Sequence, residues 1–169
     1  GLQADQNQKL NFQNERTGYR QASTRASITG RRGDRLIIDD PLSVSDARSE
    51  LDRKSCEAFF TETAPTRLTN PDSSAIVMIM QRLHEEDPSA LAIELGYEHL
   101  CLPMRYEKSM HCKTSIGEDW RTEEGELLFP ERFDKKTVDE LEKVMGPYAT
   151  AGQHQQTPVP RGGGMFREE

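Results

Sequence analysis

Two apolar runs organise the chain. Leu36-Ile37-Ile38 is short and unbroken and ends in Asp39-Asp40-Pro41, whereas Ala75-Ile76-Val77-Met78-Ile79-Met80 follows a turn at Asn70-Pro71-Asp72 and ends in Gln81-Arg82. Apolar runs without polar alternation, bounded by turn residues, predict strands, the first of them buried and parallel. Between them Ala47, Leu51, Ala58 and Phe59 recur at near-helical spacing. They predict a helix with Ser45 as its N-cap, stopped at the latest by Pro65. After the second run, Asp87 caps and Pro88 opens a helix that passes Leu91 and Leu95 and stops at Gly96. A third strand is expected over 99–102. Strand, helix, strand, helix, strand is the order of an α/β fold with a parallel sheet, and such sheets bind ligands at the C-terminal ends of their strands.

The flanks are more polar. Short stretches on either side of Asn14-Glu15-Arg16-Thr17-Gly18 predict a hairpin over 9–22. Residues 103–126 read as irregular, and the acidic stretch over 118–124 reads as a solvated loop. Val138, Leu141 and Val144 predict a helix over 135–145 with those three on its buried stripe, followed by a short second helix over 148–156. Thr157-Pro158-Val159-Pro160-Arg161-Gly162-Gly163-Gly164 has linker composition.

Composition narrows the function classes. The 169 residues suffice for one domain of ordinary size plus tails, and 34% hydrophobic residues imply a modest core. With 22 Lys and Arg against 29 Asp and Glu the net charge is −7, so any contact with a phosphate backbone has to be local. No apolar run approaches the roughly 20 residues of a membrane span, and the start has no basic-then-apolar plan, so the chain reads as soluble and unsecreted. Cys56, Cys101 and Cys112 form no CxxC pair and read as reduced thiols in a cytosolic setting.

The strand ending in Asp39-Asp40 has the form of a Walker B element. There an apolar strand delivers one carboxylate, here Asp39, to the Mg²⁺ of a bound nucleotide, and the next, Asp40, polarises the attacking water. Two acids also close many ordinary strands as solubilising punctuation. Gln81 stands at the tip of the next strand, where an amide can donate to a γ-phosphate and accept from water, with Arg82 beside it. Arg25, Arg31 and Arg32 precede the first strand and either reach phosphate from one subunit into the next or solvate a loop. His84-Glu85-Glu86-Asp87 lacks the second His of a zinc protease, because Pro88 occupies its place. His99, Cys101, His111 and Cys112 are all acceptable zinc ligands, but their spacing matches no usual knuckle. No lysine follows a glycine anywhere in the chain, so the G-x-x-x-x-G-K-[ST] phosphate loop is absent and the chain alone is expected to bind nucleotide poorly.

The landmarks also follow a recognisable order. Thr17-Gly18-Tyr19-Arg20 is followed by Thr29-Gly30-Arg31-Arg32-Gly33-Asp34-Arg35-Leu36-Ile37-Ile38-Asp39-Asp40-Pro41, Thr66-Arg67-Leu68 and Ile79-Met80-Gln81-Arg82-Leu83-His84-Glu85-Glu86-Asp87. Leu102-Pro103, Leu128-Phe129-Pro130-Glu131-Arg132-Phe133 and Gln153-His154-Gln155-Gln156-Thr157-Pro158-Val159-Pro160, ahead of Gly163-Gly164, complete the series. Over nearly its whole length the chain resembles the large subunit of phage and prophage terminases, the ATPase that packages viral DNA.

The resemblance implies an α/β fold that is part of a P-loop NTPase of the additional-strand class, a three-layer sheet with a C-terminal helical extension and linker. It divides the chain into the C-terminal half of the ATPase core (1–102), an irregular loop with a helical subdomain (103–156) and a linker toward a nuclease domain (157–169). By position Asp39 and Asp40 match the family's Walker B, Gln81 and Arg82 match its coupling motif, and Arg31 and Arg32 lie near the place of a trans-acting arginine. ATP and Mg²⁺ are the implied cofactors of the complete protein. The implied partners are double-stranded DNA, the portal protein, the small terminase subunit and further copies in a ring, in the host cytoplasm at the procapsid portal vertex and not in the mature virion. The family's phosphate loop lies before the region matching Gly1 and its nuclease carboxylates beyond the region matching Glu169. The chain alone is therefore expected to be inactive and to fold poorly, because half of a parallel sheet lacks neighbours. The alternative is a non-catalytic module that docks on other packaging proteins through an exposed sheet face and the tail over 158–166.

Overall fold

The computed structural model describes residues 2–8 and 10–160, with side chains from Leu10 onward. Lys9 of the expected hairpin and the part of the linker over 161–169 lie outside the described residues. The architecture is mixed α/β with two small sheets.

The first sheet is antiparallel, in the order β1 (Leu2–Gln8), β2 (Asn11–Asn14), β3 (Tyr19–Gln21). The expected turn joins β2 to β3. Asn14 N donates to Gly18 O at 2.8 Å, Asn14 Oδ1 accepts from Arg16 N and Gly18 N at 2.9 and 3.0 Å, and Thr17 takes a left-handed φ of 66°. β1 went unforeseen because its sequence, LQADQNQ, has no apolar alternation for a pattern to catch.

The second sheet pairs β4 (Arg35–Asp39) with β5 (Ala75–Ile79) in parallel, in an unbroken register from Arg35 opposite Ala75 to Asp39 opposite Ile79. Helix α1 (Glu50–Ala58) is capped by Ser49, whose side chain accepts from Asp52 N at 3.2 Å. Ser45, expected in that role, stands before a 3-10 turn, Asp46–Arg48, and makes no capping bond. Its backbone is already helical, whereas Ser49 has the extended backbone that turns a cap oxygen toward the free amides. Nor does Pro65 end the helical path: α1 continues through a π turn, Phe59–Thr63, into a 3-10 turn, Ala64–Arg67, where a proline in the first turn forfeits no internal hydrogen bond. Helix α2 (Pro88–Glu94) follows expectation, with Asp87 accepting from Ala90 N at 3.0 Å and Gly96 at φ 82° after its end.

The core lies on one face of the β4–β5 sheet. Ile38, Phe60, Ala64 and Ala92 are buried there, with Leu36, Ile76, Met78, Phe59 and Leu91 packed against them. The opposite face is uncovered: Ile37, Val77 and Ile79 are 62%, 42% and 55% exposed. The two runs thus alternate between core and solvent, so the burial expected of the first holds for Ile38 but not for Ile37. Residues 99–102 form no strand. Cys101 N donates to Cys112 Sγ at 3.3 Å instead of to a ladder partner.

Over 103–126 the chain is irregular, as expected, with one 3-10 turn (Lys108–Met110) and isolated bridges pairing Arg105 with Leu127 and Lys113 with Glu118. The acidic stretch is not a uniformly solvated loop. Asp119 and Arg121 are 2% and 1% exposed and ion-paired at 2.7 Å, with the guanidinium 5.4 Å from the Tyr106 ring centroid. Helix α3 (Lys135–Ala149) starts at Asp134, which accepts from Thr137 N at 2.8 Å, and is broken at Gly146 (φ 76°, ψ 170°) ahead of Pro147. A π turn, Thr150–His154, follows, so the two expected helical pieces are present on either side of the break. The expected stripe is corrected: Val138 is buried, but Leu141 is exposed and Val144 is 87% exposed. The inward line passes from Val138 to Glu142 and Met145, because Glu142 is drawn to Arg105. Among the described residues no helix is long and apolar enough to cross a membrane.

Candidate functional site

Because β4 and β5 run parallel and in register, their C-terminal ends emerge side by side. The ladder extends one residue past β4, where Asp40 N donates to Ile79 O at 2.9 Å. Asp40 then takes a left-handed φ of 42°, a conformation an L-residue adopts at some cost and which clusters at functional turns. Asp39, Asp40 and Gln81 are all exposed at this edge. The structure therefore brings two predicted carboxylates and the predicted amide to one end of one sheet.

Arg82 is differently placed. Its Nε donates to both carboxylate oxygens of Asp87, at 3.2 and 3.1 Å, and its side chain is largely buried. Asp87 is fully buried and also accepts from Leu83 N, His84 N, Ala90 N and Ser89 Oγ. Sequence reasoning recognised the helix cap but not that the same carboxylate holds the loop behind Gln81. Arg31 donates from Nη1 to Ala22 O at 3.3 Å, and the Arg32 carbonyl accepts from Tyr19 Oη at 2.7 Å, so both belong to the loop that ties β3 to the approach of β4.

Behind the strand ends lies a second set whose pairing the sequence did not signal. Gln156 Oε1 accepts from Arg82 N at 2.9 Å, and Gln155 bonds Arg105 through both backbone groups at 3.0 and 3.1 Å. Met104 N donates to His154 O at 2.7 Å. Arg105 in turn clasps Glu142 and Asp139. Burial pushes the Glu142 carboxyl upward, but hydrogen bonds from Arg105 and His154 outweigh it and hold the group below its usual 4.5. The hydrogen bond from Arg121 likewise holds Asp119 below its usual 3.8, against the opposing effect of burial.

These lowered values set an acid limit. A carboxyl that is more acidic when folded stabilises the fold fully above its unfolded pKa, and that contribution is lost as pH falls through the folded value. The carboxyl contribution should be level from about pH 7 to about pH 5 and fall below about pH 4, and His99, held below its usual 6.5 by burial, adds a loss that already begins as pH drops below about 6.5. Thermal melts across that range check this, and a melting temperature unchanged down to about pH 3 would contradict it.

A cleft of about 470 Å³ is lined by Arg82, His99, Cys101, His111, Cys112 and Gln156, among others. Burial, aided by the Arg82 charge, pushes His99 below its usual 6.5, so it is neutral at pH 7. The zinc set does not assemble. Cys112 Sγ donates to the His99 carbonyl at 3.2 Å, His111 Nδ1 is 2.9 Å from Tyr106 Oη, and among the described residues no three His, Cys, Asp or Glu are grouped to hold a metal. Cys56, Cys101 and Cys112 are all free thiols. A larger cleft of about 510 Å³ between α1 and α2 is lined by Glu50, Glu57, Glu85, Glu86 and Glu94, with Arg53 and Lys54, a charge that disfavours a triphosphate.

Asp39 and Asp40 suit Mg²⁺, a hard cation that takes one or two carboxylates and completes its shell with water and substrate phosphate. The G-x-x-x-x-G-K-[ST] motif that cradles a triphosphate with backbone amides does not occur in the sequence. The chain matches no protein-family model and no curated protein sequence.

Proposed function

We propose that this chain is the C-terminal half of the ATPase core of a terminase large subunit, serving Mg²⁺-dependent ATP hydrolysis that drives double-stranded DNA into a procapsid. The observation that carries the reading is the parallel register of β4 and β5, which sets Asp39 and Asp40 beside the end of the strand that Gln81 follows by two residues. The left-handed backbone at Asp40 and the ordered terminase-like landmarks support it. In this reading Asp39 is the Mg²⁺ ligand, Asp40 orients the attacking water and Gln81 senses the γ-phosphate. Arg82 works through the loop that Asp87 holds, and Arg31 or Arg32 supplies charge to a neighbouring subunit in a ring. Mg²⁺ would neutralise charge on the β- and γ-phosphates, and the amide cradle would come from a phosphate loop outside this chain. The proposed partners are the portal protein, the small terminase subunit and DNA, in the host cytoplasm at the portal vertex.

Reading the encoding DNA on both sides of this frame is the first test. An in-frame phosphate-loop motif upstream is the expected result, and its absence within the length of a half-domain would overturn the assignment. In the protein carrying that loop, Asp39→Asn is expected to lower kcat for ATP about a hundredfold. Steady-state phosphate release measures this, and an unchanged kcat would remove Asp39 from the site.

A second reading has its own observation. The uncovered face of Ile37, Val77 and Ile79 suits a module that docks on another packaging protein without catalysis. Sedimentation would separate the two: a monodisperse monomer that takes up no packaging protein counts against docking.

A further inference from the structure

Just past β5, Arg82 is approached from behind at both of its backbone polar groups. On one side Arg82 N donates to Gln156 Oε1 at 2.9 Å, across 74 residues of sequence. On the other, the Arg82 carbonyl oxygen lies where a Cβ on Gly152 would approach to 2.7 Å, so that only glycine fits against it. The hydrogen bond holds the peptide plane before Arg82, which carries the backbone of Gln81, and the close approach of Gly152 limits movement of the plane after it.

Gln156 is itself held with unusual firmness. It takes a left-handed φ of 58°, its Nε2 donates to Gln153 O at 2.7 Å and its backbone N donates to Gly152 O at 2.9 Å. A non-glycine residue keeps such a backbone only where its surroundings impose it. The neighbours supply that: Gln155 brackets Arg105 and donates to Glu107 Oε1, His154 O takes Met104 N, and His154 Nδ1 lies 3.4 Å from Glu142. On the far side, Thr157 N donates to Ala151 O at 2.8 Å and the chain passes into Pro158-Val159-Pro160, a composition that favours a stiff extended path.

We propose that Gln156 is a positioning residue that locks the backbone of Gln81-Arg82 to the C-terminal segment, so that a displacement at the β5 tip is passed to the stiff stretch after Thr157. The mechanical link stands on the contacts above, whereas its purpose, coupling the state of the γ-phosphate to whatever follows the segment, rests on the ATPase reading. A side chain that merely filled space would not need its one carbonyl oxygen aimed at a single distant amide, nor the glycine that allows the opposite contact.

Two arms test this. Amide exchange by NMR on the chain itself reads the link. Gln156→Leu, close in volume but unable to accept, should raise exchange at the Arg82 amide at least about tenfold while leaving the Asn14 amide, bonded to Gly18 O, unchanged. Gly152→Ala removes no hydrogen-bonding group but should shift the Gln81 and Arg82 resonances more than those of β4. Unchanged exchange at Arg82, or exchange raised equally throughout the chain, would overturn the proposal. The second arm uses the longer protein that carries the phosphate loop. There Gln156→Leu should lower kcat about tenfold with KM for ATP within about twofold. An unaltered kcat would overturn the positioning role, even with the link intact. Absence of hydrolysis by the unsubstituted protein would instead sink the ATPase reading, and the exchange arm would still decide on the link alone.

Discussion

Replacing Asp87 with alanine should destabilise the fold by about 3–5 kcal/mol, the scale of breaking a buried charge pair by removing one partner. The carboxylate is fully buried and serves Arg82 Nε through both oxygens, two amides of the loop over 83–84, the Ala90 amide at the start of α2, and the Ser89 hydroxyl at 2.5 Å. Alanine strands a largely buried guanidinium and removes a helix cap worth about 1 kcal/mol. Asp87→Asn keeps one acceptor for the cap but not the charge, and should cost less, about 1–2 kcal/mol. Urea unfolding of both variants gives the comparison. A loss below about 1 kcal/mol for Asp87→Ala would mean that water reaches Arg82 and replaces the carboxylate. A second consequence is local: the loop after Gln81 should lose order in Asp87→Ala before the β4–β5 ladder does.

Arg121→Met should cost a similar amount, about 3–5 kcal/mol, for the mirror-image reason. Asp119 would be left charged and buried, and the carbonyls of Met104 and Glu126, which accept from Arg121 Nη1 at 3.3 and 3.1 Å, would each lose one of two donors, keeping only Leu128 N and Tyr106 N. The cation stacked on Tyr106 would go as well. Removing both charges tests whether the pair or the stranded partner sets the cost. The double variant Asp119→Leu with Arg121→Met should be more stable than Arg121→Met alone, because the desolvation of two ions largely cancels their attraction. It should remain below the unsubstituted protein, since each of the two carbonyls is left with its backbone donor alone. A double-mutant cycle from urea midpoints measures this, and strictly additive losses would show that the two side chains do not act as a unit.

Residues 118–124 show why such a pair escapes a reading of charge along the chain. In sequence Asp119 and Arg121 are two charges among several, separated by an exposed Trp120. They become a buried unit only because Tyr106, Met104 and Glu126 close around them. The helix over 135–149 teaches the same lesson from the apolar side. Val138, Leu141 and Val144 form a plausible stripe, yet the face turned inward carries Glu142, which is ion-paired with Arg105 and lies 3.4 Å from His154 Nδ1. The candidate site was the more legible part. Asp39, Asp40 and Gln81 were singled out from strand-end position, and parallel pairing sets them at one edge. Gln155 and Gln156 were visible only as members of a landmark, since an amide carries no sign of its partner until the partner is adjacent.

Features that depend on residues within about four positions of one another were written in the chain: the Asn14–Gly18 turn, the Asp87 cap, the break before Pro147 and the two apolar strands. Their physics is local sterics and hydrogen bonding. Which face of β4 and β5 is covered, which charges are buried, and which carbonyl receives a distant amide were settled only when segments far apart met. Burial and pairing are properties of two surfaces, and a single segment specifies one of them.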